Sequence, residues 1–219
     1  MSKKFDLSAY LVIGAENTNR PVEEVVEKAI RAGFTFIQIR SKKSSAREII
    51  MTLEKCANII ATLNKNVALV VNDRLDIALA AREAGIKIDG VHVGQSDIPT
   101  EVCRKYLGEE AIIGLSARTE NLLEYVKATE TCADYFGIAP LHETATKSEC
   151  KALISLSELA EVAKVSALPV VVGGGVKLVD IPALAKTGVA GFFVVSAVAG
   201  AENPYAAAKE LVDAWQINK

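Results

Sequence analysis

The chain contains only two histidines, His92 and His142, and four widely scattered cysteines. Cys56, Cys103, Cys132 and Cys150 form no C-x-x-C pair, which argues against both a zinc cluster and a disulfide framework. Cys56 and Cys132 fall in apolar helical patterns and are expected to be small core residues; Cys103 and Cys150 read as incidental thiols. No Ser-His-Asp arrangement, nucleophile elbow or metalloprotease helix is visible. Apolar runs never reach membrane-spanning length, and Met1 to Leu7 hold no apolar core of a leader, so a cytoplasmic protein without a membrane partner is expected. Net charge is only -2, which gives no general attraction to nucleic acid or anionic lipid. Any anion site must come from local geometry.

What is present is regular. Short β-branched runs alternate with longer helical patterns through all 219 residues. The runs Tyr10–Ile13, Phe34–Ile39, Val67–Val71, Gly90–Val93, Ala111–Leu115, Tyr135–Ile138, Pro169–Val172 and Gly191–Val195 read as strands. Several are almost continuously apolar, as parallel strands buried on both faces are. Between them, Val22, Val25, Val26, Ala29 and Ile30 make one helical stripe, and Ile49, Leu53, Cys56, Ala57 and Ile60 make another. Pro21 suits a first helical turn, while Gly33, Gly85, Gly108 and Gly188 lie just beyond helical patterns. About eight βα units follow one another with no linker or break in composition. The expected fold class is α/β, a single (β/α)8 TIM barrel with residues 1–219 as one domain; an open doubly wound sheet is the competing architecture. The barrel is favoured by the unit count and by polar and glycine-rich residues gathering just after the strands, on the face where barrels build their sites.

Gly173-Gly174-Gly175 follows the seventh strand, and Val195-Ser196-Ala197 follows the eighth. Loops there recurrently bind phosphate, because glycines let backbone N–H groups approach an anion; the alternative is a simple tight turn. Asn72-Asp73-Arg74 closes the third strand and Asp97 follows the fourth. Two carboxylates on neighbouring strands suit Mg²⁺. Spacing alone does not choose between that and a helix N-cap at Asp73 with a turn residue at Asp97. Arg40 and Lys42 end the second strand, and Lys147 lies after the sixth. Beside two carboxylates, three cations make a coherent diphosphate-and-metal constellation. His92, within an apolar strand, is expected to be a structural histidine with a satisfied partner. His142 has no identifiable role.

In order along the chain, Gln38-Ile39-Arg40-Ser41-Lys42, Asn72-Asp73-Arg74, Gly90-Val91-His92-Val93-Gly94-Gln95-Ser96-Asp97, Ile113-Gly114-Leu115-Ser116, Thr144-Ala145-Thr146-Lys147, Gly174-Gly175-Val176 and Val194-Val195-Ser196-Ala197 resemble the thiamine-phosphate synthases. The resemblance spans nearly the whole chain, and Asn-Asp-Arg followed by His-x-Gly-Gln-x-Asp is its specific part. It implies a Mg²⁺-dependent transferase that joins hydroxymethylpyrimidine diphosphate to a thiazole phosphate and releases pyrophosphate. By position, Asp73 and Asp97 would hold Mg²⁺, and Arg40, Lys42, Asn72 and Lys147 would grip the diphosphate. Gln38 and Ser116 would line the pyrimidine side. Thr144, Thr146, Gly175 and the Val195-Ser196 backbone would receive the thiazole phosphate. The resemblance also implies a homodimer.

The chain departs from that pattern at named places. Ser41 stands where the family usually has Glu, and Gly14 where it often has Asp. Ala139-Pro140-Leu141-His142-Glu143 replaces Gly-Pro-x-Phe-Pro, and Ser148 to Lys151 also differ. The diphosphate and metal half is therefore expected intact and the thiazole-side loop altered. Two other readings are a thiazole tautomerase, which would be expected to carry His at position 118 where this chain has Arg118, and a non-catalytic paralogue that binds thiamine intermediates.

Overall fold

A computed structural model of the chain describes residues 5–117, 121–128, 131–143 and 153–219. Its strands are β1 Ala9–Ile13, β2 Phe36–Ile39, β3 Ala68–Asn72, β4 Gly90–Val93, β5 Ile112–Ala117, β6 Tyr135–Ile138, β7 Val170–Val172 and β8 Gly191–Val194. They pair in sequence order, all parallel, and β8 returns to β1, so the sheet is a closed (β/α)8 TIM barrel. The open-sheet alternative is excluded. The helices are α1 Val22–Ala32, α2 Ala46–Leu63, α3 Leu75–Glu83, α4 Thr100–Leu107, α5 Leu122–Ala128, α6 Leu156–Val165, α7 Ile181–Ala185, α8 Ser196–Ala199 and α9 Pro204–Asn218. Among the described residues, no helix is long and apolar enough to cross a membrane.

The expected stripes are the buried ones. Val22, Val25, Val26, Ala29 and Ile30 of α1, and Ile49, Leu53, Cys56 and Ile60 of α2, are buried, with Ala57 at the edge. Several expectations shift. Pro21 is the N-cap of α1 rather than a first-turn residue. Phe34 lies in the turn that closes α1, not in β2. Gly33 takes a left-handed φ of 112° and the Phe34 N–H donates to the Ala29 carbonyl at 3.0 Å, so the chain turns before the strand begins. Cys132 lies in the loop between α5 and β6, half-buried, and not in a helix, whereas Cys103 is fully buried in α4. The helix begun near Leu178 is a short 3-10 turn, Leu178–Asp180, leading into α7. The terminal helix α9 covers the barrel wall, with Trp215 5.5 Å from the Phe192 ring.

Alternation along the strands separates two cores. Outward residues such as Leu11, Ile37, Leu69, Val91, Ile113, Phe136 and Phe192 pack under the helices. Inward residues Tyr10, Val12, Phe36, Val70, Ile112, Tyr135 and Val171 fill the barrel. The barrel floor is aromatic: the Tyr10 and Phe36 rings lie 4.4 Å apart, and Tyr135 lies 5.5 Å from Phe36. Each such ring contributes about 1.5–3 kcal/mol on burial. Rings this large fit because small residues face them. A Cβ on Gly173 would lie 2.2 Å from the Phe193 ring, and one on Gly114 would lie 2.3 Å from both His92 and Tyr135. Above this apolar floor the inward residues become polar: Gln38, Asn72, His92 and Ser116. That change sets where ligand can enter.

Candidate active site

Inward parity carries Gln38 of β2 to the upper barrel, two residues beyond Phe36. Gln38 is 3% exposed, and its Nε2 has no hydrogen-bond partner among the described residues. An orphaned buried donor costs about 1–3 kcal/mol. Such a group calls for an acceptor from outside the described residues.

Just past the strand ends the backbone turns charged side chains toward the same rim. The Arg40 N–H donates to the Ile13 carbonyl at 2.8 Å, which extends β2 against β1. Lys42 Nζ lies 2.7 Å from Asp73 Oδ2. The Lys42 N–H donates to Glu16 Oε1 at 2.8 Å. Asn72 ends β3 opposite His92. Asp73 then adopts φ 61°, unusual for a residue with a side chain, while its N–H donates to the His92 carbonyl at 2.8 Å. A left-handed non-glycine residue costs about 1–3 kcal/mol. Arg74 is the N-cap position of α3 and no side chain caps it, so Asp73 is not a helix cap. Arg74 itself turns away to Asp76, at 2.6 Å.

Asp97 Oδ2 accepts the Gly94 N–H at 2.7 Å. Its carboxyl is pushed above the usual range, first by burial and then by the Asp73 carboxyl beside it. The Gly94 N–H and Lys42 pull the other way and do not prevail. Two carboxyl groups facing one another with an ammonium already against one of them form an acidic nook that suits a small divalent cation. Among the described residues, no group of three or more His, Cys, Asp and Glu side chains converges. A cation here would have two protein carboxylates and open positions for phosphate oxygens and water, as Mg²⁺ accepts.

Beneath these charges a polar chain crosses the barrel. Ser116 Oγ meets His92 Nε2 at 3.0 Å, His92 Nδ1 meets the Tyr135 hydroxyl at 3.0 Å, and that hydroxyl meets the Tyr10 hydroxyl at 3.0 Å. Burial pushes both tyrosine pKa values well above their ordinary range, so both phenols stay neutral donors and acceptors. His92 is thus the satisfied histidine expected, and it also fixes the Ser116 hydroxyl. Gln95 Nε2 donates to the Ser116 carbonyl at 3.1 Å. Ser116 lies within β5, not beyond its end.

Across the barrel mouth, Val172 pairs with Phe192, so Gly175 and Val195 leave neighbouring strands at the same level. Gly174 and Gly175 take φ 76° and 77°. The Gly173 and Gly174 carbonyls accept the Leu141 N–H, and the Gly174 carbonyl also accepts the His142 N–H, all at 3.0 Å. The Gly174 and Gly175 N–H groups donate to no described residue. His142 Nε2 lies 3.0 Å from Asp180 Oδ2, which ties the altered loop to the turn after the glycines. Glu143 is exposed. Ser196 opens α8, whose N-cap is Val195. Thr144, Thr146, Lys147 and Arg118 lie outside the described residues, as do Cys150 and the divergent segment Ser148 to Lys151.

The structure therefore brings Gln38, Arg40, Lys42, Asn72, Asp73, Asp97 and Ser116 to one side of the upper rim, and Gly175, Val195 and Ser196 to the other. Sequence reasoning missed Glu16, Gln95, Tyr10 and Tyr135. For Tyr10 and Tyr135 the signal was available: both stand at inward parity facing small residues. For Glu16 none was.

Comparison with known proteins agrees with this geometry. Residues 9–198 match the family model described as thiamine monophosphate synthase. A thiamine-phosphate synthase of Corynebacterium efficiens is 37% identical over 207 residues, covering 94% of each chain. One from Ruminiclostridium cellulolyticum is 36% identical over 221 residues, covering 100% of each. Among solved structures, a thiamine phosphate pyrophosphorylase from Pyrococcus furiosus superposes with a TM-score of 0.81 at 30% identity, covering 97% of this chain and 96% of that one. With a motif set, a closed barrel and whole-length relatives in agreement, the chain belongs to the thiamine monophosphate synthase family.

Proposed function

We propose that the chain condenses hydroxymethylpyrimidine diphosphate with a thiazole phosphate, giving thiamine phosphate and pyrophosphate. The observation that carries this reading is the layout of the rim. Cations and paired carboxylates stand at the strand ends above a buried, orphaned amide, and across the barrel mouth lies a glycine loop whose Gly174 and Gly175 N–H groups donate to no described residue. A diphosphate, a flat polar ring and a second phosphate match those three regions.

In this proposal Gln38 and Ser116 hold the pyrimidine, Ser116 being oriented by His92. Arg40, Lys42 and Asn72 grip the diphosphate, joined by Lys147 from beyond the described residues. Asp73 and Asp97 would hold Mg²⁺, which supplies positive charge against the departing pyrophosphate. The bond from the pyrimidine methylene to diphosphate oxygen breaks first, and its electron pair leaves with pyrophosphate. The thiazole nitrogen then donates its pair to the methylene carbon. Gly175 and the Val195-Ser196 backbone receive the thiazole phosphate, with Thr144 and Thr146 completing that side. No protein nucleophile is required; the residues act by position and charge. Chromatographic detection of thiamine phosphate from the two substrates, and its loss on chelation with EDTA, tests the reading. Persistence of product in excess EDTA contradicts the metal role.

Gln38→Leu separates stability from function. Removing the orphaned amide is expected to raise unfolding free energy by about 1 kcal/mol in urea denaturation. The same variant is expected to raise KM for the pyrimidine diphosphate about tenfold or more, since the ligand loses its buried donor. A destabilised variant with unchanged KM contradicts both halves.

A further inference from the structure

Arg40 directly follows β2, and Lys42 stands on the turn after it, Ser41 to Ser45, whose side chains are polar throughout. The turn that carries Lys42 and Lys43 side by side is held by polar tethers, among them the Ser41 hydroxyl, which accepts the Lys43 and Ser44 N–H groups at 3.3 and 3.0 Å, and the Lys42 ammonium on Asp73. At its far end Ser45 caps α2, and its N–H and hydroxyl donate to Glu48 at 2.7 and 2.8 Å. At its near end the tether comes from a different βα unit. Glu16, in the 3-10 turn Ala15–Asn17 after β1, accepts the Lys42 N–H at 2.8 Å. Its carboxyl stays below the usual range. Partial burial opposes this, but the Lys42 N–H, the Ser41 side chain and the neighbouring Arg40 outweigh it.

Gly14 makes the contact possible. A Cβ there would lie 2.0 Å from the Arg40 carbonyl oxygen and 2.9 Å from Glu16 Oε2. The end of β1 therefore lies directly on the end of β2, and Glu16 folds back across it. Asn17 holds this bend, its side-chain oxygen accepting the Gly14 N–H at 2.9 Å and its own N–H donating to the Gly14 carbonyl at 3.0 Å.

We propose that Glu16 is a positioning residue for the diphosphate grip, a carboxylate that holds Lys42 and Arg40 in the binding arrangement from the neighbouring loop. It rests on the function proposed above only in naming the diphosphate. A carboxylate there offsets the Arg40 charge before any anion arrives and fixes the Lys42 backbone, while Asp73 holds the Lys42 ammonium. Gly14 and Ser41 carry no carboxylate, so Glu16 supplies the one that meets the backbone of this turn, while Asp73 meets the Lys42 ammonium.

The test uses inorganic pyrophosphate with Mg²⁺ as a calorimetric probe of the full chain, beside steady-state kinetics. Glu16→Ala is expected to weaken pyrophosphate binding about tenfold and to raise KM for the pyrimidine diphosphate by a similar factor. KM for thiazole phosphate and the melting temperature are expected to stay near wild type. Glu16→Gln, which keeps an oxygen acceptor for the Lys42 N–H, is expected to recover part of the loss, while KM for thiazole phosphate stays at the wild-type value in both variants. Unchanged pyrophosphate binding in Glu16→Ala, equal changes in both KM values, or no recovery in Glu16→Gln overturns the proposal. Wild-type protein that binds pyrophosphate but forms no thiamine phosphate overturns the functional reading and leaves the role of Glu16 standing.

Discussion

Asp73→Asn is expected to reduce thiamine phosphate formation by roughly 10²–10³-fold, the magnitude typical of losing one group that stabilises developing charge. The fold is expected to survive. Asp73 sits at φ 61°, and asparagine tolerates that left-handed conformation as well as aspartate does. The lost ion pair to Lys42 involves a lysine that is 60% exposed, so it contributes little to stability. Removing one of two facing carboxylates also removes their repulsion. Melting curves with and without Mg²⁺ provide the control. Wild type is expected to melt higher with the metal, because a ligand that binds only the native state stabilises it. The variant is expected to lose that increment and keep the metal-free melting temperature. Near-wild-type turnover by folded Asp73→Asn contradicts the assignment of the carboxylate pair.

Gly114→Ala is expected to damage fold and activity together. The added Cβ would lie 2.3 Å from His92 Nδ1 and 2.3 Å from Tyr135 Cζ. Neither neighbour can move aside easily: Tyr135 is 0% and His92 9% exposed, and both are hydrogen-bonded in the chain that ends on Ser116. Overpacking of this kind costs about 3 kcal/mol, occasionally more. For a chain of this size that lowers the melting temperature by roughly 10 °C. Displacing His92 also displaces the Ser116 hydroxyl, so KM for the pyrimidine diphosphate is expected to rise in the protein that remains folded. Thermal unfolding and initial-rate kinetics below the new melting temperature check both effects. An unaltered melting temperature with unaltered KM contradicts the description of a tightly filled barrel interior.

The barrel was legible because its determinants are local. Runs such as Val67–Val71 can be buried only on both faces, and the α1 and α2 stripes place their apolar residues at helical spacing. Strand ends were less so. Phe34 is as apolar as β2, and only the closing turn at Gly33, with the Phe34 N–H on the Ala29 carbonyl, keeps it out of the strand. Cys132 followed a helical pattern, yet it lies in the loop before β6. Motif order put Arg40, Lys42, Asp73 and Asp97 just after successive strands, and barrel closure brings those strand ends to one rim. Whether Asp73 caps a helix or faces Asp97 depends on one backbone dihedral, which spacing does not encode. Glu16 was invisible for a different reason. Its partner lies 26 residues away, and the contact needs β1 and β2 to approach at Gly14. Pairings between loops of adjacent units follow from barrel closure and have no local signature.

The most direct measurement is pyrophosphate release by the purified chain given pyrimidine diphosphate, thiazole phosphate and Mg²⁺, with each omitted in turn. Release that requires the metal and both substrates, matched mole for mole by thiamine phosphate, is the predicted result. Folded protein that releases no pyrophosphate from the complete mixture contradicts the proposed reaction.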